Sequence, residues 1–339
     1  MPILNPPGAP TGNLVTQDVY SISRYLNDPT FVYRDLATLA DQMFVSNKVL
    51  RGQFYTDDGS IIYEQIESIY AGATPGAVSP GGEYPLAPIP TGPAQIGTTT
   101  KWGLDTIITD ESINRQRIDA YQKAMIKLAN SMVLQIDGIG MSTIQGAIST
   151  QINAGASEMG GSAPAGGAEW AGPNARILRD LLFAGQTIRA QKQGYTPDTT
   201  LCDLQTFAVI ISDPNLAARL PRENLGADGA SAMPAMAGLD TLLEAHMAGM
   251  RILSSVQFTE PYCAVLDSKV FGAFVDERLP APGYTGGATG VADSDSAFRS
   301  MIQVKSMRED ETDRWRVRAR RVTTPIVIEP LAACEIVGI

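Results

Sequence analysis

The sequence predicts an α+β protein of two structural units, with extensions that a compact domain could not bury. Three features predict it. Strand-like and helical periods alternate irregularly along the chain, and one helical period persists for about forty residues. A Gly/Pro/Ala/Thr segment of about 27 residues, far beyond hairpin length, separates two strands. The chain has 339 residues, more than an ordinary single domain, and its 44% hydrophobic and 18% charged residues suffice for a sizeable core.

Taken in order, residues 1–30 are rich in Pro, Gly, Asn and Thr and show neither period, which suits an arm lying against a neighbour. Leu36, Leu39, Ala40, Met43 and Phe44 then fall at helical spacing within Tyr33 to Val45, and a strand is expected from Lys48 to Phe54. Asp57-Asp58-Gly59 signals a turn. Ile61 to Tyr70 and Thr98 to Ile108 read as strands, the second alternating Trp102, Leu104, Thr106 and Ile108 on one face. The segment between them reads as the irregular tip of a protruding two-stranded arm. Such a ribbon is marginal alone and needs a partner surface, for which another copy of the chain is the obvious candidate.

Thr109-Asp110-Glu111 supplies a cap and acidic first-turn residues for a helix carrying Ile118, Tyr121, Met125, Leu128, Met132, Ile136 and Ile139 on one face. The pattern runs from 110 to 152, about 60 Å of helix, with Gly138 and Gly140 as points where it could kink or split. Residues 153–172 form a Gly/Ala loop, and Pro173 to Gln193 a second amphipathic helix with Ile177, Leu181, Leu182 and Ile188. Short elements follow at Thr200 to Asp203, Leu204 to Ile211, Asp240 to His246, Arg251 to Ser255 and Cys263 to Leu266, with loops at 224–238 and 281–297. Strands close the chain at Met301 to Met307, Arg314 to Arg321, Ile326 to Ile328 and Ala332 to Val337.

Composition excludes several function classes. Twenty-six basic against 36 acidic residues give a net charge of -10, the wrong sign for a chain whose main task is to grip phosphate backbones. The proline-rich opening MPILNPPGAPTG is no secretory signal and no apolar run approaches a membrane span, so a soluble, cytosol-made protein is expected. Cys202, Cys263 and Cys334 fit neither a disulfide framework nor a zinc site and read as buried small hydrophobes. The single histidine, His246, has no Ser or Cys motif aimed at it and reads as structural. No catalytic, cofactor or metal residue is therefore expected.

Two motifs reduce to simpler readings. Gly286-Gly287-Ala288-Thr289-Gly290 lacks the lysine of a phosphate cradle, and Asp293 and Asp295 lack the remaining ligands of a calcium loop. Arg314, Arg316, Arg318 and Arg320 alternate with Trp315, Val317 and Ala319, so four guanidinia share one face of a strand. They form either a basic stripe for anions or salt bridges with Glu309, Asp310, Glu311 and Asp313 or with a neighbouring subunit. The acidic balance of the chain and the suitability of arginine for forked pairing favour the second.

The order of these parts resembles the major capsid proteins of tailed bacteriophages. The resemblance rests on the Pro/Gly-rich start, on IIYEQIESIY through PGGEYP to KWGLDTIITDE, on INRQRIDAYQKAMIKLANSMVLQIDGI, and on the ending MREDETDRWRVRARRVTTPIVIEPLAACEIVGI. It implies an N-terminal arm over residues 1–46, an extended E-loop and its base strands over 47–109, a P-domain with a spine helix over 110–194, and an A-domain over 195–300. P-domain strands over 301–322 and a closing A-domain strand over 323–339 complete it. The implied function is a structural shell subunit, not an enzyme, that assembles into hexamers and pentamers of an icosahedral virion capsid around double-stranded DNA in the host cytoplasm. Implied partners are further copies of itself and scaffold, portal and decoration or cement proteins. The arm begins within the first residues, which implies a separate scaffold protein or none. Implied subunit-interface candidates are Ile62, Tyr63, Ile66, Tyr70, Tyr84, Trp102, Arg314, Arg316 and Arg318. Some members weld subunits through an E-loop lysine and an asparagine; no lysine falls between Lys48 and Lys101, so no weld is expected here. An encapsulin-type nanocompartment shell protein would share the fold, and a cytosolic enzyme or binding protein of two α/β units is the rival from another class.

Overall fold

The computed structural model describes residues 44–66, 68–89, 91–116, 118–155, 175–212, 244–247, 249–258, 261–277, 281–286 and 302–339, with positions 26, 27, 32, 33, 36, 170, 172 and 279. Its elements are α1 (Ser46–Val49), β1 (Gly52–Thr56), β2 (Ser60–Glu64), β3 (Ala94–Thr98), β4 (Thr100–Thr109), α2 (Asp110–Gln116), α3 (Ile118–Ala147) and β5 (Gln151–Asn153). They continue as α4 (Ile177–Ala190), β6 (Thr199–Asp203), α5 (Leu204–Ser212), β7 (Glu244–Met247), β8 (Met250–Ser255), β9 (Cys263–Leu266) and β10 (Gly272–Glu277). The last are β11 (Thr285–Gly286), β12 (Gln303–Glu309), β13 (Arg314–Val327) and β14 (Ala333–Val337).

Strand β13 organises the first sheet. Residues 314–323 pair antiparallel with β4 and 314–320 with β12, while 323–327 pair with β10, to which β1 adds in parallel. Strict alternation sends Trp315, Val317 and Ala319 to one face, where they join the main core with the apolar side of α3: Met125, Leu128, Met132, Val133, Ile136 and Ile144. Each such side chain stabilises the fold by roughly 1.5–3 kcal/mol when fully buried. Leu26, Val32, Leu36 and Phe44 are buried in this same core, so part of the segment assigned to the arm packs within its own chain.

The second sheet runs β5-β14-β9-β6-β8-β7. Both faces of its centre are covered, and alternation divides them: Leu201, Leu253, Ala264 and Leu266 face the α3 core, whereas Cys202, Ile252, Cys263 and Val265 face α4. The three cysteines are buried and free.

Several expected elements differ. Lys48 to Phe54 is not one strand: α1 occupies 46–49, because the Ser46 and Val45 amides and the Ser46 hydroxyl donate to the buried Asp137 carboxylate of α3 and hold the backbone in a turn. Gly140 makes room for this clamp, since a Cβ there would lie 2.8 Å from that of Ser46. The strand expected over Ile61 to Tyr70 stops at Glu64, after which Gln65 and Ile66 bond to the carbonyls of Val327 and Ile328. The helix expected over 110–152 is described as α2 and α3 on either side of residue 117, which lies outside the described residues, and ends at Ala147; it passes through Gly138 and Gly140 without a break. The Pro173 to Gln193 helix is limited to Ile177–Ala190. Ile326 to Ile328 is no separate strand, because β13 runs on to Val327 once β10 replaces β12 as its partner. β5 and β10 were not expected. The expected loops at 224–238 and 153–172 lie largely or wholly outside the described residues, as does most of 281–297.

Candidate interaction surfaces

Among the described residues, strands β2 and β3 pair only with each other. The turn that leads from β1 into β2 is set by Gly59, whose φ of +72° is the left-handed region that glycine tolerates, with the Thr56 hydroxyl donating to the Ser60 carbonyl. The ribbon continues past Glu64 with sparse backbone bonds, Gln65 N to Pro93 O at 3.1 Å and Gly72 N to Pro88 O at 2.8 Å, and turns at Ser79–Gly82. Its base is fixed: Ile61 and Tyr63 pack on Ala273, Val275 and Ile326 of the first sheet. Farther out, the Tyr70 hydroxyl donates to the Lys192 carbonyl at 2.6 Å, and the Ile69 amide donates to Gln193 Oε1.

The outer part leaves large apolar side chains in solvent. Ile62 is 72% exposed and its cross-strand partner Ile96 69%; Tyr84 reaches 80% and Leu86 92%, with Ile66, Ile69 and Ile89 also exposed. A patch this large on a protruding ribbon is the mark of an interaction surface. Of the ribbon candidates, Ile62, Ile66, Tyr70 and Tyr84 are solvent-facing. Tyr63 is half-buried against its own sheet, and Trp102 sits half-buried on β4 opposite Arg321.

The arginine face is the side of β13 turned away from α3. Arg318 makes a forked pair with Asp105 of β4 at 2.7 and 2.8 Å, which Arg316 joins at 3.8 Å. Arg314 pairs with Glu309, and Arg316 Nη2 lies 2.8 Å from the other oxygen of that carboxylate. The hydrogen bond from Arg318, then the charges of Arg318 and Arg316, hold the Asp105 carboxyl below the usual carboxylate range. Arg314, by hydrogen bond and charge, does the same for Glu309. At the strand end Arg308 forks onto Asp110 at 2.7 and 2.6 Å and also contacts Asp310. The guanidinia therefore pair with acids of their own chain, with Asp105 in a role that the sequence did not assign. Its signal was its place in the alternation of β4, two residues from Gly103 on the polar face.

Chemistry-bearing residues are few here. Burial raises all three thiols, Cys334 to about 12, so none is a ready nucleophile at neutral pH. Among the described residues no group of three His, Cys, Asp or Glu could hold a metal ion, and no helix is long and apolar enough to cross a membrane. His246 lies in β7, and residues 287–300, including Asp293 and Asp295, lie outside the described residues.

A sequence-family model described as phage capsid protein matches residues 93–336. No curated protein matches the chain. Among solved structures, the capsid of the cyanophage P-SCSP1u is 13% identical, with a TM-score of 0.56 over 85% of this chain and 86% of that one. A Microbacterium phage Oxtober96 chain is 9% identical, with a TM-score of 0.53 over 86% of this chain and 90% of its own. A virus-like particle from Pyrococcus furiosus is 10% identical, with a TM-score of 0.50 over 90% and 98%. At such identities the likeness establishes a shared fold.

Proposed function

The chain belongs to the phage capsid protein family and is a structural shell subunit of the virion capsid, and from this we propose that its copies assemble as hexamers and pentamers into an icosahedral shell enclosing double-stranded DNA. The observation that carries the proposal is the β2–β3 ribbon, whose Ile62, Ile96, Tyr84, Leu86 and Ile89 are exposed, without cover among the described residues. We assign it as the E-loop, laid over a neighbouring subunit. Obligate interfaces of about 2,000–5,000 Å² would bury such side chains. The net charge of -10 suits a container for DNA, because a basic wall would hold the genome in many contacts and slow its release. In this reading the chain has no catalytic role and needs no cofactor. Assembly takes place in the host cytoplasm, with scaffold, portal and decoration or cement proteins as partners.

Deleting Gly72 to Pro93 tests the assignment. The variant is expected to retain the wild-type circular dichroism spectrum and to form no closed particles under the electron microscope. Normal particles from the deletion variant would overturn it. A second reading, a nanocompartment shell enclosing protein cargo, would share this shell fold. Double-stranded DNA within purified particles would exclude it, and co-purifying enzyme without DNA would establish it.

A further inference from the structure

Strand register defines the outer face of the β4–β13–β12 sheet as four rows: Thr109, Arg314 and Glu309; Ile107, Arg316 and Met307; Asp105, Arg318 and Lys305; Gly103, Arg320 and Gln303. Five cations stand there against two carboxylates. Asp105 and Glu309 are taken up by Arg314, Arg316 and Arg318. Arg320, only 4% exposed, donates to Gln303 Oε1 and to the Leu279 carbonyl, each at 2.7 Å, and its guanidinium lies 3.7 Å from the centre of the Tyr284 ring, so its charge is felt at the corner from below while Lys305 is the cation on its surface. Lys305 Nζ lies 5.8 Å from the same ring. Among the described residues neither Lys305 nor Arg320 has a carboxylate partner. In a chain of net charge -10 this corner has a local excess of the opposite sign, beside the apolar Ile107 and Met307.

The complementary feature is at the ribbon tip. Between Glu67 and Lys101 the sequence contains one charged residue, Glu83. It is exposed, follows the Gly81–Gly82 turn and precedes the exposed Tyr84 and Leu86. Among the described residues no ion pair reaches it. An acid flanked by apolar side chains on a projecting ribbon matches, in sign and in composition, a basic corner flanked by Ile107 and Met307.

We propose that Glu83 of one copy docks on Lys305 beside the Tyr284 ring of a second copy, over the buried Arg320 charge, with Tyr84 and Leu86 lying towards Ile107 and Met307. This rests on the shell-subunit reading and adds to it the contact that sets where the ribbon lands. A pair at an interface rim contributes mainly to register and to the rate of encounter, and it is repeated at every subunit of a closed assembly. The contact is head to tail, with different surfaces on the two copies, as a ring or shell requires.

The test compares wild type, Glu83→Lys, Lys305→Glu and the double variant by particle yield on a density gradient and by electron microscopy. Each single variant is expected to lower the yield at least about fivefold, and the double variant to return it to within about twofold of wild type. A second set needs no charge reversal: Leu86→Cys combined with Met307→Cys should give reducible multimers in oxidised particles, while either cysteine alone should not. Native cysteines do not confuse this readout, because all three are buried. Single variants at wild-type yield, a double variant no better than the poorer single, or no crosslink in the cysteine pair would each overturn the proposal while leaving the shell reading intact. Lys305→Glu particles of normal yield that have lost nucleic acid would overturn it in favour of a polyanion contact. Wild-type protein that forms no closed particle would overturn the shell reading and the docking proposal together.

Discussion

Arg321 falls on the inward face of its strand, where Trp315, Val317 and Ala319 precede it, and has a fate opposite to that of Arg314, Arg316 and Arg318. Arg314, Arg316 and Arg318 lie on the outer face, whereas Arg321 is 1% exposed and forks onto the equally buried Asp276 at 2.8 and 3.0 Å, with its guanidinium near the rings of Phe274 and Phe44. A buried pair is weakly stabilising as a pair, but either partner alone is an uncompensated charge. Asp276→Ala is therefore expected to destabilise the subunit by about 3–5 kcal/mol in urea unfolding, while Asp276→Leu with Arg321→Met should cost much less. A double variant as unstable as the single would mean that the pair acts through more than its charge. The doublet Arg320-Arg321 was the visible sign of this inward arginine. Its partner was out of sight, because Asp276 is 45 positions away on a strand that the periodicity did not predict.

The β4–β13–β12 ladder has an acid-sensitive element in Asp105 and Glu309. Their carboxyls are held below the ordinary range by the facing arginines, so the folded state binds protons less readily than the unfolded chain. The resulting stabilisation is present above the unfolded carboxylate value of about 4 and is lost as pH falls through the depressed folded values. For the Asp105 pair, screened by solvent, it amounts to under about 1 kcal/mol. The urea midpoint of wild type should fall between about pH 5 and pH 3, and Asp105→Asn should flatten that slope while lowering the midpoint at pH 7. An unchanged slope would show that the ladder is not coupled to folding. Elements whose own sequence holds their pattern were legible: the period of α3, the arginine alternation of β13, and the glycine-proline segment that had to project. β10 and α1 were not, because the first is defined by its pairing with the end of β13 and the second by the reach of Ser46 to Asp137, 91 positions away. The ribbon was legible as a surface through its composition. The cations left over on the sheet face were not, because counting them requires the register.

Shell strength in this chain is expected to come from overlap between copies, because the ribbon tip carries no lysine and the cysteines are buried. An isopeptide weld at the ribbon would need a lysine at its reaching end, and Lys48 and Lys101 both lie at its base, the first in α1 and the second on β4 opposite Val322. Disulfides between subunits would need an accessible thiol, and Cys202, Cys263 and Cys334 are buried in the second sheet. The ribbon and the arginine face are then held by contacts that denaturant can undo. Particles boiled in detergent, with or without reductant, should run as one band near the chain mass of 36.2 kDa. Mild urea should release subunits before it unfolds them, since rim contacts and an exposed apolar ribbon are weaker than the α3 core. A ladder of multimers that survives reductant would overturn this account and direct the search to a lysine–asparagine pair away from the ribbon tip.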